Sequence, residues 1–493
     1  MKNSIVRCAL LYAVLCSILR SSYPVLDEES YLLIAEQMAV LRPYDWSLPW
    51  PPYGDSYRYA HPPLFLLWIR CISVLAGDSV LWIKILAGLP FQLILGGCIG
   101  WFASSQISTT GEKCTSSRLR FQLLLFCSPV ILLVGARSAM PDLMYASFGI
   151  LAVAVFLGMK SWHGQLLCGV LLGISCWTKY PAFLLWIPIL YASDWRAWRF
   201  IALGFAMTWG VGELWLWFLY GKWHLAVVLS TADHVGRGSV SGRTIGFLMR
   251  LLIACPALIL IAFRFRSWLW VMVSAIVLGS TWVFLPSLST WGSAIATLWV
   301  CGVVVALLWC VRKLDFFALW FISSFVGVCA THNFSSPRYL ILAMIPLTIL
   351  VERELRDRAN MWLYPILAAT IGLSAIVAHG EHRYAAETIA LFQQLPKDIA
   401  GSYTGEWTFR AGARKHGLTL WKGDKGTILQ PKQAVGGSLP VEYHTEKVYY
   451  GEEGYRMLLD RENSVGYYAE TLGFWPMGWG KGPIEEFRVW TAH

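Results

Sequence analysis

Apolar runs recur along the chain up to about residue 379, separated by short polar connections. A membrane span takes about 20 mostly apolar residues. Segments of this kind fall at residues 5–22, 79–102, 121–135, 143–159, 164–178, 181–193, 199–220, 245–263, 267–285, 292–311, 316–331, 337–351 and 360–379, so the pattern predicts about 13 transmembrane helices. The connection over residues 23–78 is the longest before the tail. Within it Tyr31, Ile34, Ala35, Met38 and Leu41 repeat at helical spacing, with Glu29, Glu36 and Gln37 on the opposite face. That spacing predicts a helix lying on the membrane surface. Residues 45–64 read as a Pro- and Trp-rich loop, and residues 64–77 as a second short apolar helix.

Past residue 380 the pattern changes: GEWTFRAGARKHG could open a helix, whereas LTLWKGDKGTILQPKQAVGG and FRVWTAH have strand character. The expected fold is an all-α polytopic membrane domain over 1–379, followed by a small α/β domain over 380–493. Lys2, Arg7 and the apolar run from Cys8 to Leu19 resemble a signal peptide. Arg20 and the following SSYP stand where small residues would precede a cleavage site, which predicts an uncleaved first span.

Composition agrees with a bilayer as the main solvent: the 493 residues are 56% hydrophobic and 14% charged, and the mean hydropathy is +0.52. The net charge of +10 belongs to the connections rather than to a nucleic-acid surface. With the N-terminus inside, Lys113, Arg118, Arg120, Lys160, Arg196, Arg199, Arg264, Arg266, Arg312, Lys313, Arg353, Arg356 and Arg358 all fall in alternate connections that are then cytoplasmic. The 12 cysteines all lie before the tail without CxxC or Cys/His spacing, so neither a disulfide framework nor a zinc site is indicated.

The opposite, external connections hold the unusual polar residues: Asp27 with Glu28 and Glu29, His61 in HPPL, Arg137 and Asp142 in ARSAMPD, Lys179 in TKYP, and Arg338 in PRY. Asp27 and Asp142 read first as helix N-caps, the commoner role of such an acid, and alternatively as bases. Lys84, Arg137 and Lys179, at span ends, read equally as snorkelling cations or as anion ligands. A cation in Arg338's position opposes the helix dipole, which favours a functional reading. Carboxylates beside cations able to hold a phosphate suit transfer from a phosphate-activated donor. Glu213 lies inside a predicted span with no partner that the sequence identifies, and Trp46, Trp50, Trp68 and Trp82 suit an interfacial belt or sugar stacking.

The order of DE before an interfacial helix, HPPL, R-x(4)-D at a helix start, TK, and PRY before a late span is similar to the GT-C glycosyltransferases. The closest likeness is to the protein O-mannosyltransferase-like and lipid A aminoarabinose transferase-like branch. The resemblance covers residues 1 to about 351. It implies an integral membrane enzyme, in a bacterial inner membrane, with its site and C-terminal domain extracytoplasmic. It further implies a polyprenyl-phosphate sugar donor and a glycan, lipid or protein acceptor. By the same resemblance Asp27 is the base, with Glu28 its companion and Asp142 the second acid. Arg137, Lys179, Arg338 and Lys84 are phosphate contacts, with Tyr339 beside Arg338. His61 stands where many bacterial members carry Lys. A divalent ion between Asp27, Glu28 and Asp142 suits hard oxygen ligands but is not demanded. The rival class is a transporter or flippase of lipid-linked sugars, which would place its decisive charges near the bilayer midplane, often in repeats. No internal repeat is present in the sequence.

Overall fold

The computed structural model describes residues 2–25, 27–46, 59, 61–77, 79–105, 114–231, 240–258, 261, 290–332, 335–355, 363–397, 399, 401–423, 425–433, 439–440, 443–456, 459–460, 465–466 and 480–492. The predicted span 267–285, Trp50 and most of the loop 45–64 lie outside them.

In chain order the helices are α1 Lys2–Ile18, α2 Glu28–Gln37, α3 Leu64–Ala76, α4 Val80–Ser105, α5 Cys114–Phe126, α6 Pro129–Ala136, α7 Pro141–Gly158 and α8 Trp162–Thr178. They continue with α9 Trp186–Ala192, α10 Trp195–Phe205, α11 Val211–Tyr220, α12 His224–Thr231, α13 Val240–Ala254, α14 Thr290–Cys310, α15 Phe316–Thr331, α16 Ile341–Leu355, α17 Leu363–Gln394 and α18 Thr408–Lys415. A five-residue π segment joins α10 and α11 into one 26-residue helix.

Among the described residues three helices are long and apolar enough to cross a membrane, Val80–Ser105, Pro141–Gly158 and Trp195–Tyr220. A fourth follows if α5 and α6, bent by 54° at Cys127–Ser128, count as one span. The described residues therefore do not supply thirteen full spans. Hydropathy registers apolar content but not breaks in the backbone. The predicted spans 181–193 and 337–351 each begin with a short 3-10 turn, Tyr180–Leu185 and Pro337–Leu340. The predicted span 245–263 is interrupted after Ala254, where α13 ends.

Small residues bring α1 and α4 together: a Cβ added at Gly96 would lie 2.8 Å from the Cys8 carbonyl oxygen, and one at Gly100 2.9 Å from the Ile5 Cα. Where lipid removes the hydrophobic drive for helix association, such close backbone approach supplies the packing. At the end carrying the basic connections, buried Glu352 of α16 accepts from Arg120 of α5, from Nε at 3.1 and 3.3 Å and from Nη2 at 2.8 Å. Asp194 and Asp315 cap helices there, accepting from the Ala197 and Ala318 N–H at 2.7 and 2.9 Å. An open groove of about 580 Å³ runs along α1 and α4, lined by Leu10, Val14, Leu89 and Leu93 among others. Its Ser17 hydroxyl is returned to the Ala13 carbonyl, so the groove offers apolar surface rather than chemistry.

Helix α17 runs through residue 379 to Gln394, carrying the chain from the helical domain into the tail without a break. The tail strands are β1 Ser402–Tyr403, β2 Thr419–Leu420, β3 Thr427–Pro431, β4 Tyr443–Tyr450, β5 Glu453–Arg456, β6 Leu459–Asp460, β7 Val465–Gly466, β8 Gly480–Pro483 and β9 Glu486–Ala492. The main sheet has the order β2-β1-β3-β9-β4, parallel in its first two pairings and antiparallel in the last two. Phe487 and Val489 of β9 pack with Phe392 of α17 and Phe409 of α18 into a second core. Helix and sheet are also joined by the Tyr384 hydroxyl, which donates to Glu485 Oε2 at 2.9 Å.

Candidate active site

Four helix ends meet at the side opposite the basic connections: the starts of α2 and α7, the end of α8, and the 3-10 turn before α16. Pro141 opens α7 and Pro337 opens the 3-10 turn, positions where the missing N–H costs nothing. Each terminus delivers one charged side chain. Asp27 Oδ2 accepts from Arg338 Nη2 at 2.7 Å, and Asp142 Oδ1 accepts from Lys179 Nζ at 2.6 Å. Arg338 Nε stands 3.9 Å from Asp142 Oδ2, so the guanidinium spans both acids. Neither of those last two atoms has a hydrogen-bond partner among the described residues. The Tyr339 hydroxyl accepts from Arg338 Nη2 at 3.1 Å, and its ring lies 4.6 Å below Lys179 Nζ.

The capping reading of Asp27 fails on geometry. Asp194 and Asp315 show what a capping aspartate does in this chain, whereas the Asp27 side chain makes no cap hydrogen bond and turns to Arg338. Asp142, in the first turn of α7, likewise points to Lys179. Asp27 and Asp142, Lys179, Arg338 and Tyr339 thus form one cluster.

Glu28 and Lys84 stand apart from it. Lys84 Nζ donates to Glu28 Oε2 at 2.7 Å and to the Tyr23 carbonyl at 3.1 Å, and both side chains are buried. Glu28 also accepts the Val25 N–H at 3.0 Å and the Ala139 N–H at 3.2 Å. Ser138 donates to the Lys84 carbonyl at 2.6 Å, and a Cβ at Gly88 would meet Ser138 Cβ at 2.2 Å. This ion pair is thus a knot that fixes residues 137–140 just ahead of Asp142. Arg137 turns to Glu381 of α17, donating from Nε to Oε2 at 3.1 Å. His61 packs on Tyr31 and Tyr59, with ring centroids 5.9 and 5.4 Å away. The carboxylate trio considered for a divalent ion does not assemble, because Glu28 faces Lys84. Among the described residues no group of three His, Cys, Asp or Glu could hold a metal.

Three participants were not singled out beforehand. His332, the residue after α15, lies with its ring 3.9 Å from that of Tyr339. Burial, with Lys179 and Arg338 nearby, holds its pKa well below the usual histidine range, leaving it neutral. Its signal was its place in the THNFSSPRY connection. Arg410 and Glu406 come from the tail, where no local pattern relates them to Asp27. Arg410 Nη1 lies 3.7 Å from Glu29 Oε2 and 3.4 Å from Ser30 Oγ, and Thr408 Oγ1 donates to the Pro24 carbonyl at 2.8 Å. Glu29 was expected on the solvent face of α2, yet it is buried beneath the tail. Helical periodicity assigned it outward because the layer covering that face is distant in sequence. Glu213 finds its partners in the Tyr180 hydroxyl at 2.9 Å and the Leu225 N–H at 3.3 Å.

Burial pushes the Glu29 carboxyl up to about 7 despite Arg410 and Arg414, with Glu406 and Asp27 adding to the rise. A carboxyl raised on folding binds its proton more tightly in the native state, so stability falls as pH rises between the free and native values. Relative to an unstructured reference peptide, which cancels trypsin's own loss of activity in acid, the tail should accordingly be cleaved more slowly at about pH 5 than at about pH 8, with Glu29→Gln flattening the difference. Equal cleavage of wild type at both values would refute this.

No family model matches the sequence, and no curated protein does. Solved structures similar to this chain include the following two. ArnT from Cupriavidus metallidurans, in its crystal structure bound to undecaprenyl phosphate, is 13% identical over 88% of this chain and 93% of that one, with a TM-score of 0.49. The oligosaccharyltransferase of Archaeoglobus fulgidus, in complex with Zn and sulfate, is 11% identical over 85% of this chain and 57% of that one, with a TM-score of 0.42.

Proposed function

We propose that this chain is an inverting GT-C type membrane glycosyltransferase, moving a monosaccharide from a polyprenyl-phosphate donor to an extracytoplasmic acceptor hydroxyl. The supporting observation is the cluster in which partly exposed Asp27 is bridged by Arg338 to buried Asp142 and Lys179. It joins an acid open to an incoming hydroxyl with two cations able to receive a phosphate, one of them already shared between two acids. The motif order described above supports the same reading.

In the proposed step Asp27 takes the acceptor proton while the hydroxyl oxygen bonds to the anomeric carbon. The bond from that carbon to the phosphate oxygen breaks, its electron pair leaving with the lipid phosphate. Lys179 and Arg338 receive that charge, and fixed cations in a buried site act there without reorganising. A single displacement from the face opposite the leaving group inverts the anomeric centre, as in inverting glycosidases with the acceptor in place of water. Asp142 holds Lys179 and Arg338 in place. Glu28, Lys84 and Arg137, engaged in internal ion pairs, are positioning residues for the loop before Asp142 rather than phosphate ligands. Neutral His332 and the aromatic His61, Tyr31 and Tyr59 suit the sugar side. The reading keeps about 13 spans, a bacterial inner membrane, a cytoplasmic N-terminus and an extracytoplasmic tail, with a glycan, lipid or protein as acceptor.

The test is purified protein in liposomes given a panel of polyprenyl-phosphate monosaccharides, followed for release of free polyprenyl phosphate and for the anomer formed. Release with inversion is the expected result. Retention of the anomeric configuration would overturn the mechanism, and movement of intact lipid-linked sugar across the bilayer without bond cleavage would favour the transporter.

A further inference from the structure

The tail does more than dock. Around the start of α2, the side chains of Glu28, Glu29 and Asp142 are 0%, 5% and 2% exposed, each set against a cation. Two acids remain open, Asp27 at 31% and Glu406 at 32%. They come from segments nearly four hundred residues apart in sequence, and the tail brackets Asp27: Thr408 bonds to the Pro24 carbonyl on one side, and Arg410 meets Glu29 and Ser30 on the other. Burial raises the Glu406 carboxyl above its usual range, and the charge of Asp27 adds to the rise. Arg338, which bonds Asp27, and Asp142 beside it each keep one buried atom, Nε and Oδ2, without hydrogen-bond partners among the described residues. The backbone between Glu406 and Thr408 is held unusually, since Trp407 is the single non-glycine residue with positive φ among the described residues, at 63°.

Docking does not account for Glu406. Its Oε1 lies 3.8 Å from Arg410 Nη2, beyond hydrogen-bond range, and a partly exposed pair at that separation contributes little. The attachment is made by Thr408 and Arg410. A partly exposed carboxylate held by no hydrogen bond can accept hydrogen bonds from hydroxyls and, when ionised, repels anions.

We propose that Glu406 is a substrate-facing residue of this site, binding hydroxyls of a carbohydrate acceptor adjacent to the one that Asp27 deprotonates. This rests on the transferase reading for the role of Asp27. It names the acceptor class as a neutral polyol whose reacting hydroxyl is flanked by further hydroxyls, and it excludes a hydroxyl flanked by phosphate. The tail is then a wall of the active site, and the enzyme's choice of acceptor resides partly in the tail.

The experiment compares binding of methyl α-mannoside and mannose 6-phosphate to the full-length protein in detergent, by saturation-transfer NMR titration. Wild type should favour the neutral sugar. Glu406→Gln should weaken its binding about tenfold and erase the preference, and Glu406→Asp should restore most of both. Thermal midpoint and trypsin resistance of the tail should be unchanged in Glu406→Gln. Equal binding of the two sugars by wild type, no binding of the neutral one, or a Glu406→Gln tail that becomes trypsin-sensitive would each overturn the proposal. Sugar release from polyprenyl-phosphate donors is read in the same preparations. No release by wild type, with sugar discrimination intact, would overturn the transferase reading while leaving Glu406 as a carbohydrate-binding group.

Discussion

On the proposed mechanism Asp27→Asn is expected to lower sugar transfer by about 10²–10⁴-fold while the protein stays folded, the range for removal of a positioned base. The asparagine oxygen can still accept from Arg338, so the geometry at the start of α2 survives, but the amide cannot take up the acceptor proton. Folding should change little, because the Asp27 side chain caps no helix N–H and about one third of it is exposed. Steady-state transfer with matched thermal midpoints checks both halves. A folded variant with near wild-type turnover would remove Asp27 from the chemistry and leave it as a tether for Arg338. Asp142→Asn is a poorer probe of mechanism, since it strips a buried Lys179 of its counter-charge and so mixes stability with rate.

Lys84→Met has the largest expected effect on stability, a loss of about 3–5 kcal/mol, because it leaves a buried carboxylate without its cation. Glu28 is fully buried and holds the N–H groups of Val25 and Ala139 as well as Lys84. A double variant, Lys84→Met with Glu28→Gln, should recover a large part of the loss, since the charge is gone and the amide oxygen can still accept a backbone hydrogen bond. Unfolding in mixed detergent micelles measures both. A Lys84→Met protein as stable as wild type would show that the pair is not the knot described here. A double variant no better than the single one would show that packing, rather than uncompensated charge, sets the cost.

These two variants separate residues that look alike in the sequence. DE at 27–28 reads as one acidic motif, yet its members face opposite ways. Asp27 precedes the first turn of α2 and looks toward Arg338, whereas Glu28 begins the helix and points into the space between α2, α4 and the loop before α7. Successive helical residues are separated by about 100°, so adjacency in sequence is poor evidence of a shared site. The basic residues divide in the same way. Lys179 and Arg338 reach Asp142 and Asp27, while Lys84 and Arg137 are taken up by Glu28 and Glu381. Each of the four stands at or near a helix end on the side opposite the basic connections, where sidedness could be read, but partner choice depends on which neighbouring helix supplies an acid.

The sequence by itself determined the apolar helical character of the chain, the change to mixed α/β structure in the tail, the existence of the short helices α2 and α3, and the gathering of Asp27, Asp142, Lys179, Arg338 and Tyr339 at one end. Those features follow from periodicity and from the sidedness of basic residues, which are properties of neighbouring positions along the chain. The tertiary structure alone decided where helices break, that Glu29 is buried, that Glu28 and Lys84 form a knot behind the site, and that Glu406 and Arg410 stand beside Asp27. Each of those depends on contacts between segments far apart in sequence, and the charge on a side chain does not say which distant segment will fold against it.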